Sequence, residues 1–179
     1  MPESDWAPRP YQPTWPRYST RPFPPYRFVP GKAPHPRRHP DGHSYGQIEP
    51  KPETLHSEAW SESDAYRYGI DLYNFAYWWE CHEVFEGFWH AVGPNTEQGQ
   101  FFQALIQLAA GNLKRFMKNE IAARSLLRKS LRRFAELPDC YMGIDLAELR
   151  NRLEKAPTPD LSATFLLTLK CASNRSPRT

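Results

Sequence analysis

The sequence predicts an all-α fold: two packed helical hairpins in a four-to-five-helix bundle, with tetratricopeptide-like turns and an extended N-terminal arm. Three observations predict it. Apolar residues recur at helical spacing through most of the chain after residue 58. Gly, Pro and Asn punctuate those stretches at their ends. And 14 of the 19 prolines precede residue 58, which divides the chain into an arm (1–58), a helical domain (59–157) and a C-terminal tail (158–179).

The arm is read first. Pro22, Pro24, Pro25, Pro30, Pro34, Pro36 and Pro40 are too dense for a helix or a central strand, because each fixes φ and removes an N–H donor. The segment is therefore extended, polyproline-like or partly disordered. Disordered chains are poor in aromatics, yet Trp6, Tyr11, Trp15, Tyr18, Phe23, Tyr26, Phe28 and Tyr45 all lie here. Residues 20–50 are accordingly read as an arm that packs its rings onto the helical domain or onto a partner.

Each helix carries start and stop signals. Helix one runs from about Ser61 to Tyr73, with Ser61 or Ser63 as N-cap and Tyr66, Ile70 and Tyr73 on one stripe. Asn74-Phe75-Ala76 is a turn. Helix two runs from Tyr77 to Ala91 and stops at Gly93-Pro94. Helix three begins after Asn95 or Thr96 and follows Phe102, Leu105, Ile106, Ala109, Leu113 and Phe116 to about Lys118. Helix four spans Glu120 to Leu137, with Ile121, Leu127, Leu131 and Phe134 inside, and Pro138 ends it. A shorter helix covers Asp145 to Lys155, and Phe165–Leu169 is too short to assign. The first hairpin is acidic and the second basic, so the two attract when packed side by side, by about 0–1 kcal/mol for each exposed pair.

Bulk properties exclude several function classes. The net charge of +3 is too small for a molecule that binds nucleic acid over its whole surface. Cys81, Cys140 and Cys171 are odd in number and lack CxxC spacing, which argues against a disulfide framework or a zinc knuckle and fits a reducing, cytoplasmic setting. No apolar run approaches the roughly 20 residues of a membrane span, so no membrane partner is expected. MPESDWAPRP lacks the basic and apolar regions of a signal peptide. A Gly-rich phosphate loop and a partnered Ser or Cys nucleophile are both absent from the pattern.

The chemistry concentrates in Trp78-Trp79-Glu80-Cys81-His82-Glu83-Val84-Phe85-Glu86-Gly87-Phe88-Trp89. Imidazole and carboxylates among aromatic rings are costly unless something satisfies them. At about 100° per residue, His82 and Glu86 share a helix face with Trp78 and Trp89, while Glu83 sits near Trp79, Glu86 and His90. Imidazole plus carboxylate suits a divalent transition metal, zinc, manganese or iron(II), with His82, Glu86 and His90 as candidate ligands and Glu83 as candidate general base. The competing reading is a paired structural network. The zincin motif HExxH is not met, because position 86 is Glu. Helix three adds Gln103 and Gln107 at helical spacing, amides able to complete such a network if this face meets helix two.

The run Tyr73-Asn74, Glu80-Cys81-His82-Glu83-Val84-Phe85-Glu86, Trp89 and Gln103-Ala104-Leu105-Ile106-Gln107-Leu108-Ala109-Ala110-Gly111 resembles the domain of unknown function 309 family over about residues 62–135. That resemblance implies a small all-α domain without an established activity. It also implies that His82, Glu83, Glu86, Trp89, Gln103 and Gln107 form the family's polar cluster. The family usually has Gly where Ala76 stands, which puts a left-handed turn there in question, and Ala where Cys81 stands.

Three functional readings follow. One is a helical binding or scaffold module with a protein partner or a second copy of the chain. Another is a metal-dependent hydrolase-like enzyme. The third is nucleic-acid binding through Arg124, Arg128 and Arg132, spaced i, i+4, i+8 on helix four, for which the bland alternative is a solvated face. His35, His39 and His43 recur every four residues, but in an extended chain they are too far apart for one metal.

Overall fold

The structure is a computed structural model and describes residues 7–48, 54–155 and 166–170. A 3-10 turn at Ser57–Glu62 leads into α1 (Asp64–Asn74), α2 (Trp78–Val92), α3 (Glu97–Phe116) and α4 (Glu120–Ala135). A two-stranded sheet, β1 (Cys140–Tyr141) and β2 (Ile144–Asp145), precedes α5 (Leu146–Lys155). Among the described residues the fold is all-α, with only that small sheet added.

Local chemistry sets the helix ends. The Ser63 hydroxyl accepts the Tyr66 N–H at 3.1 Å and starts α1. Thr96 accepts from Gly99 at 2.9 Å to start α3, and Asn119 from Ala122 at 3.1 Å to start α4. Each side chain satisfies one of the N–H groups that a first helical turn leaves open. Gly93, with φ +84°, ends α2. The turns closing α1 and α3 are the same device. Ala76 N–H donates to Tyr73 and Tyr77 N–H to Leu72; Lys118 N–H donates to Arg115 and Asn119 N–H to Lys114. This is the Schellman pattern. Its left-handed position is filled by Ala76 (φ +65°) and Lys118 (φ +62°), so alanine does adopt the conformation that favours glycine.

The hairpins pack as successive layers. α2 contacts α1 and α3, and α3 contacts α4. Phe88 stacks on Phe102 at 5.1 Å between ring centres, and Phe85, Tyr66 and Phe101 surround Phe102. Small residues let backbones approach. Gly69 of α1 lies against the Phe85 ring, and Gly111 of α3 lies against Leu127 of α4. The buried Ser130 hydroxyl on α4 donates to the Ala104 carbonyl on α3 at 2.8 Å. Ile121, placed inside by the sequence reading, is 86% exposed. The stripe facing α3 is Ala123, Leu127, Ser130 and Phe134, and Ile121 sits about 200° round from Ala123.

The tiny sheet is a hairpin whose central residues Met142 and Gly143 both have positive φ, 45° and 82°, as a type I′ turn requires. Residues 166–170 join it: Leu169 bridges Ile144, and the Asn74 side chain binds both the N–H and the carbonyl of the buried Leu167. Cys140 is disulfide-bonded, a departure from the expectation drawn from scattered cysteines.

The arm lies against α1 and α2. Phe23 stacks on Tyr77 at 4.8 Å and Phe28 meets Trp79 edge-on at 5.1 Å. Asp71, wholly buried on α1, accepts the backbone N–H groups of Tyr18 and Ser19 at 2.9 Å each and the Arg17 guanidinium at 3.3 Å. The Arg27 guanidinium donates to the Phe75 carbonyl at the end of α1, 2.7 Å away, and lies over the Tyr77 ring. Ion pairs also join Arg21 to Asp64 and Arg37 to Glu83. The acidic hairpin thus meets basic residues of the arm in these pairs.

Two sets of substitutions test this packing. A Cβ at Gly69 would lie 2.7 Å from Phe85 Cε1, a ring enclosed by Tyr66 and Phe102. Gly69→Ala is expected to cost about 1–3 kcal/mol. Gly111→Ala meets Cδ2 and Cγ of the half-buried Leu127 at 2.8 and 3.0 Å, with the Ala123 carbonyl at an ordinary 3.6 Å, and is expected to cost less than Gly69→Ala, because the less enclosed Leu127 side chain can shift and alanine gains helix propensity. Urea unfolding separates the two, and equal stabilities would show that the Phe85 ring yields. Asp71→Ala leaves arm donors without an acceptor and is expected to destabilise by about 1–3 kcal/mol and to expose the arm to limited proteolysis. Asp71→Asn, which keeps an acceptor oxygen, is expected to cost less.

Candidate functional site

α2 carries the chemistry-bearing residues because its two ends are fixed on α3. Trp78 meets Phe116 edge-on at 6.4 Å, and Phe88 stacks on Phe102. Between those contacts lie His82 and Glu86 on α2, and Gln103 and Gln107 on α3. Phe85 and Cys81, fully buried, anchor the inward face of α2. Three positions of the same helix, His82, Glu83 and Glu86, are half-buried.

These three form a cluster. One ligand atom from each, an imidazole nitrogen and two carboxylate oxygens, lies within 4.8 Å of the others. Bonds of about 2.0–2.2 Å to a common ion would put ligand atoms on the order of 3–4 Å apart, so the three atoms would have to draw somewhat closer to share one ion. His82 Nδ1 is 3.3 Å from Glu83 Oε1. Distance alone would pair them, but the geometry makes no hydrogen bond, and buried Nδ1 has no hydrogen-bond partner. A buried imidazole nitrogen left in this way costs about 1–3 kcal/mol, which a ligand would relieve.

The other sequence candidates distribute unevenly. His90 is exposed and leans on Trp89 at 4.9 Å; it lies outside the three-residue cluster. Trp89 Nε1, Trp78 Nε1 and Gln107 Oε1 are buried without hydrogen-bond partners, so Gln107 is no solvated surface amide. Gln103 is half-buried on the same helix. The rows of arm histidines do not converge: His35 packs on Trp79 and Phe28, His39 is exposed near Asp41, and His43 faces Glu80. Arg124, Arg128 and Arg132 are all exposed on α4, which packs on α3 and α5, so the basic ridge and the α2 cluster are separate surfaces.

Sequence reasoning missed two residues. Glu80, given no role in the sequence reading, is buried and accepts the Phe28 N–H at 2.9 Å, with His43 Nε2 at 3.3 Å from the same oxygen. It fastens the arm to α2. Arg37 reaches the cluster itself, with Nε 3.8 Å from Glu83 Oε2. The arm's density of arginines was the available signal, but spacing along an extended chain does not reveal which one arrives.

Cys81 neighbours the cluster in sequence and not in chemistry. It is fully buried, and burial, reinforced by the Glu80 charge, pushes its thiol well above the usual value. A neutral, inaccessible thiol is neither nucleophile nor ligand.

The model of a family described as Domain of unknown function (DUF309) matches residues 66–126, from α1 into α4, and so includes the whole cluster. A comparison with curated proteins finds no match.

Cys81 supplies a direct check on this environment. It is expected to resist alkylation by iodoacetamide in the folded protein and to react once the chain is unfolded, as read by mass spectrometry of the peptide that contains it. Rapid labelling under native conditions would contradict a sealed inner face of α2.

Proposed function

We propose that this chain, whose two hairpins match the DUF309 model over residues 66–126, is a helical binding module that holds a divalent transition metal at His82, Glu83 and Glu86. One observation carries the reading: three ligand atoms of suitable type, an imidazole nitrogen and two carboxylate oxygens, converge within 4.8 Å, and the same histidine holds a buried Nδ1 without a hydrogen bond. Imidazole and two carboxylates suit zinc, manganese or iron(II). Three protein ligands leave a position open for water or a further ligand.

The proximity of Glu83 to the other two ligand atoms supports a ligand role for it over that of a free general base. Binding is therefore favoured over hydrolysis. The glutamines of α3 suit an outer role, in which amides orient the ligands and anything they hold.

Calorimetry on protein purified without a histidine tag tests the proposal. Zinc or manganese is expected to bind with a stoichiometry of one and to raise the melting temperature. His82→Ala and Glu86→Gln are each expected to weaken binding by tenfold or more, and His90→Ala to leave it unchanged. Absence of both heat and thermal shift with either metal would overturn the reading.

A further inference from the structure

We infer that the outer face of α4 docks the phosphate backbone of double-stranded nucleic acid, with Arg124, Arg128, Lys129 and Arg132 as its phosphate contacts. This surface is separate from the α2 cluster and does not depend on the metal reading.

Helical rotation sets the face. Ala123, Leu127, Ser130 and Phe134 form the row turned to α3. The remaining circumference carries Arg124, Arg128, Lys129 and Arg132, all exposed. Between Glu120 and Glu136 the helix has five basic residues, those four and Arg133, and no Asp or Glu. At about 1.5 Å of rise per residue, Arg124, Arg128 and Arg132 make a straight row roughly 12 Å long.

The row is not neutralised by its surroundings. Among the described residues, none of these four side chains makes an ion pair or a hydrogen bond. The carboxylates of α1 and α2 are met from the arm: Asp64 by Arg21, Asp71 by Arg17 and Glu83 by Arg37. On α5, which packs against α4, Glu148 pairs with Arg152 of the same helix, and Arg150 is taken by Asp139. Like charges one helical turn apart repel, so the row costs the free protein stability that a polyanion would restore. The net charge of +3 thus conceals a local concentration of positive charge.

The surrounding side chains select the kind of polyanion. A helix lying on a bilayer needs a free apolar face. That of α4 is spent on α3, and Ile121 is its one exposed large apolar residue. Single strands are held by stacking on aromatic rings. The exposed side of α4 has none, and the arm rings Phe23 and Phe28 are packed on Tyr77 and Trp79. A regular row of cations, mostly arginines whose planar forks fit phosphate, suits a duplex backbone.

Fluorescence anisotropy with the full-length protein tests this, using a labelled DNA duplex of arbitrary sequence and an RNA duplex of the same sequence. Binding is expected at low salt, and the tighter duplex identifies the source. Log affinity is expected to fall against log salt with a slope of about −3 to −4, as four phosphate contacts require. Arg128→Gln with Arg132→Gln is expected to weaken binding about tenfold or more and to reduce the slope by about 2. Arg128→Lys with Arg132→Lys, which keeps the charge, is expected to keep the slope. The arm variant Lys32→Gln with Arg38→Gln, two exposed cations on another surface, is expected to bind as the parent does.

No binding of either duplex at low salt would overturn the inference. So would an unchanged slope in the α4 glutamine variant, or an equal loss in the arm variant. Poly-glutamate displacing the duplex at equal charge would overturn it in favour of an acidic protein partner. Tighter binding of a single strand than of either duplex would also overturn it.

Discussion

A carboxylate shut away from water needs donors, and most of this architecture follows from where two such groups find them. Asp71 is wholly buried and Glu80 nearly so. Burial pushes the Asp71 carboxyl above its usual value, opposed by the N–H groups of Tyr18 and Ser19 and by Arg17. The interior N–H groups of α1 and α2 are already committed to helical bonds and have nothing to spare. The proline-rich arm does: a segment without helix or sheet among its described residues carries unspent backbone donors. Tyr18 and Ser19 meet Asp71, and Phe28 meets Glu80. The segment that composition marks as hardest to fold on its own supplies what the helices lack.

That docking has consequences along the arm. Between its two anchor points Arg27 is carried to the carbonyl of Phe75, the residue that caps the C-terminal end of α1, where helix ends leave acceptors open. Beyond them His35 is set against Trp79 and Arg37 against Glu83. A side chain in the α2 cluster is thus electrostatically linked to a residue some forty-six positions earlier, through contacts that are mostly aromatic and backbone in kind. The inner face of α2, with Phe85 and Phe88 set among rings, gives the cluster a fixed base.

The two hairpins share a turn as well as a shape. Ala76 and Lys118 both occupy a left-handed conformation at some steric cost, and in each case a pair of backbone bonds to the preceding helix holds it. The same solution at both corners explains why the hairpins stack as similar layers although their charges differ in sign.

Helical periodicity, caps and breakers in the sequence determined by themselves that this chain is all-α, where α1 to α5 lie within a few residues, and that the polar residues of α2 share neighbouring faces. These are local properties, readable because a helix places residues by a fixed rotation and satisfies its own backbone. Ile121 marks the limit of such reading: an apolar residue near a helix start was counted as core, and only the position of α3 decided which face of α4 is covered. Tertiary structure alone decided that Asp71 and Glu80 belong to the arm, that Glu83 and not His90 completes the trio with His82 and Glu86, and that Arg37 stands beside it. Those outcomes depend on contacts between segments distant in sequence, whose geometry is set by packing and by the requirement that buried charge be met, and no spacing along the chain encodes either.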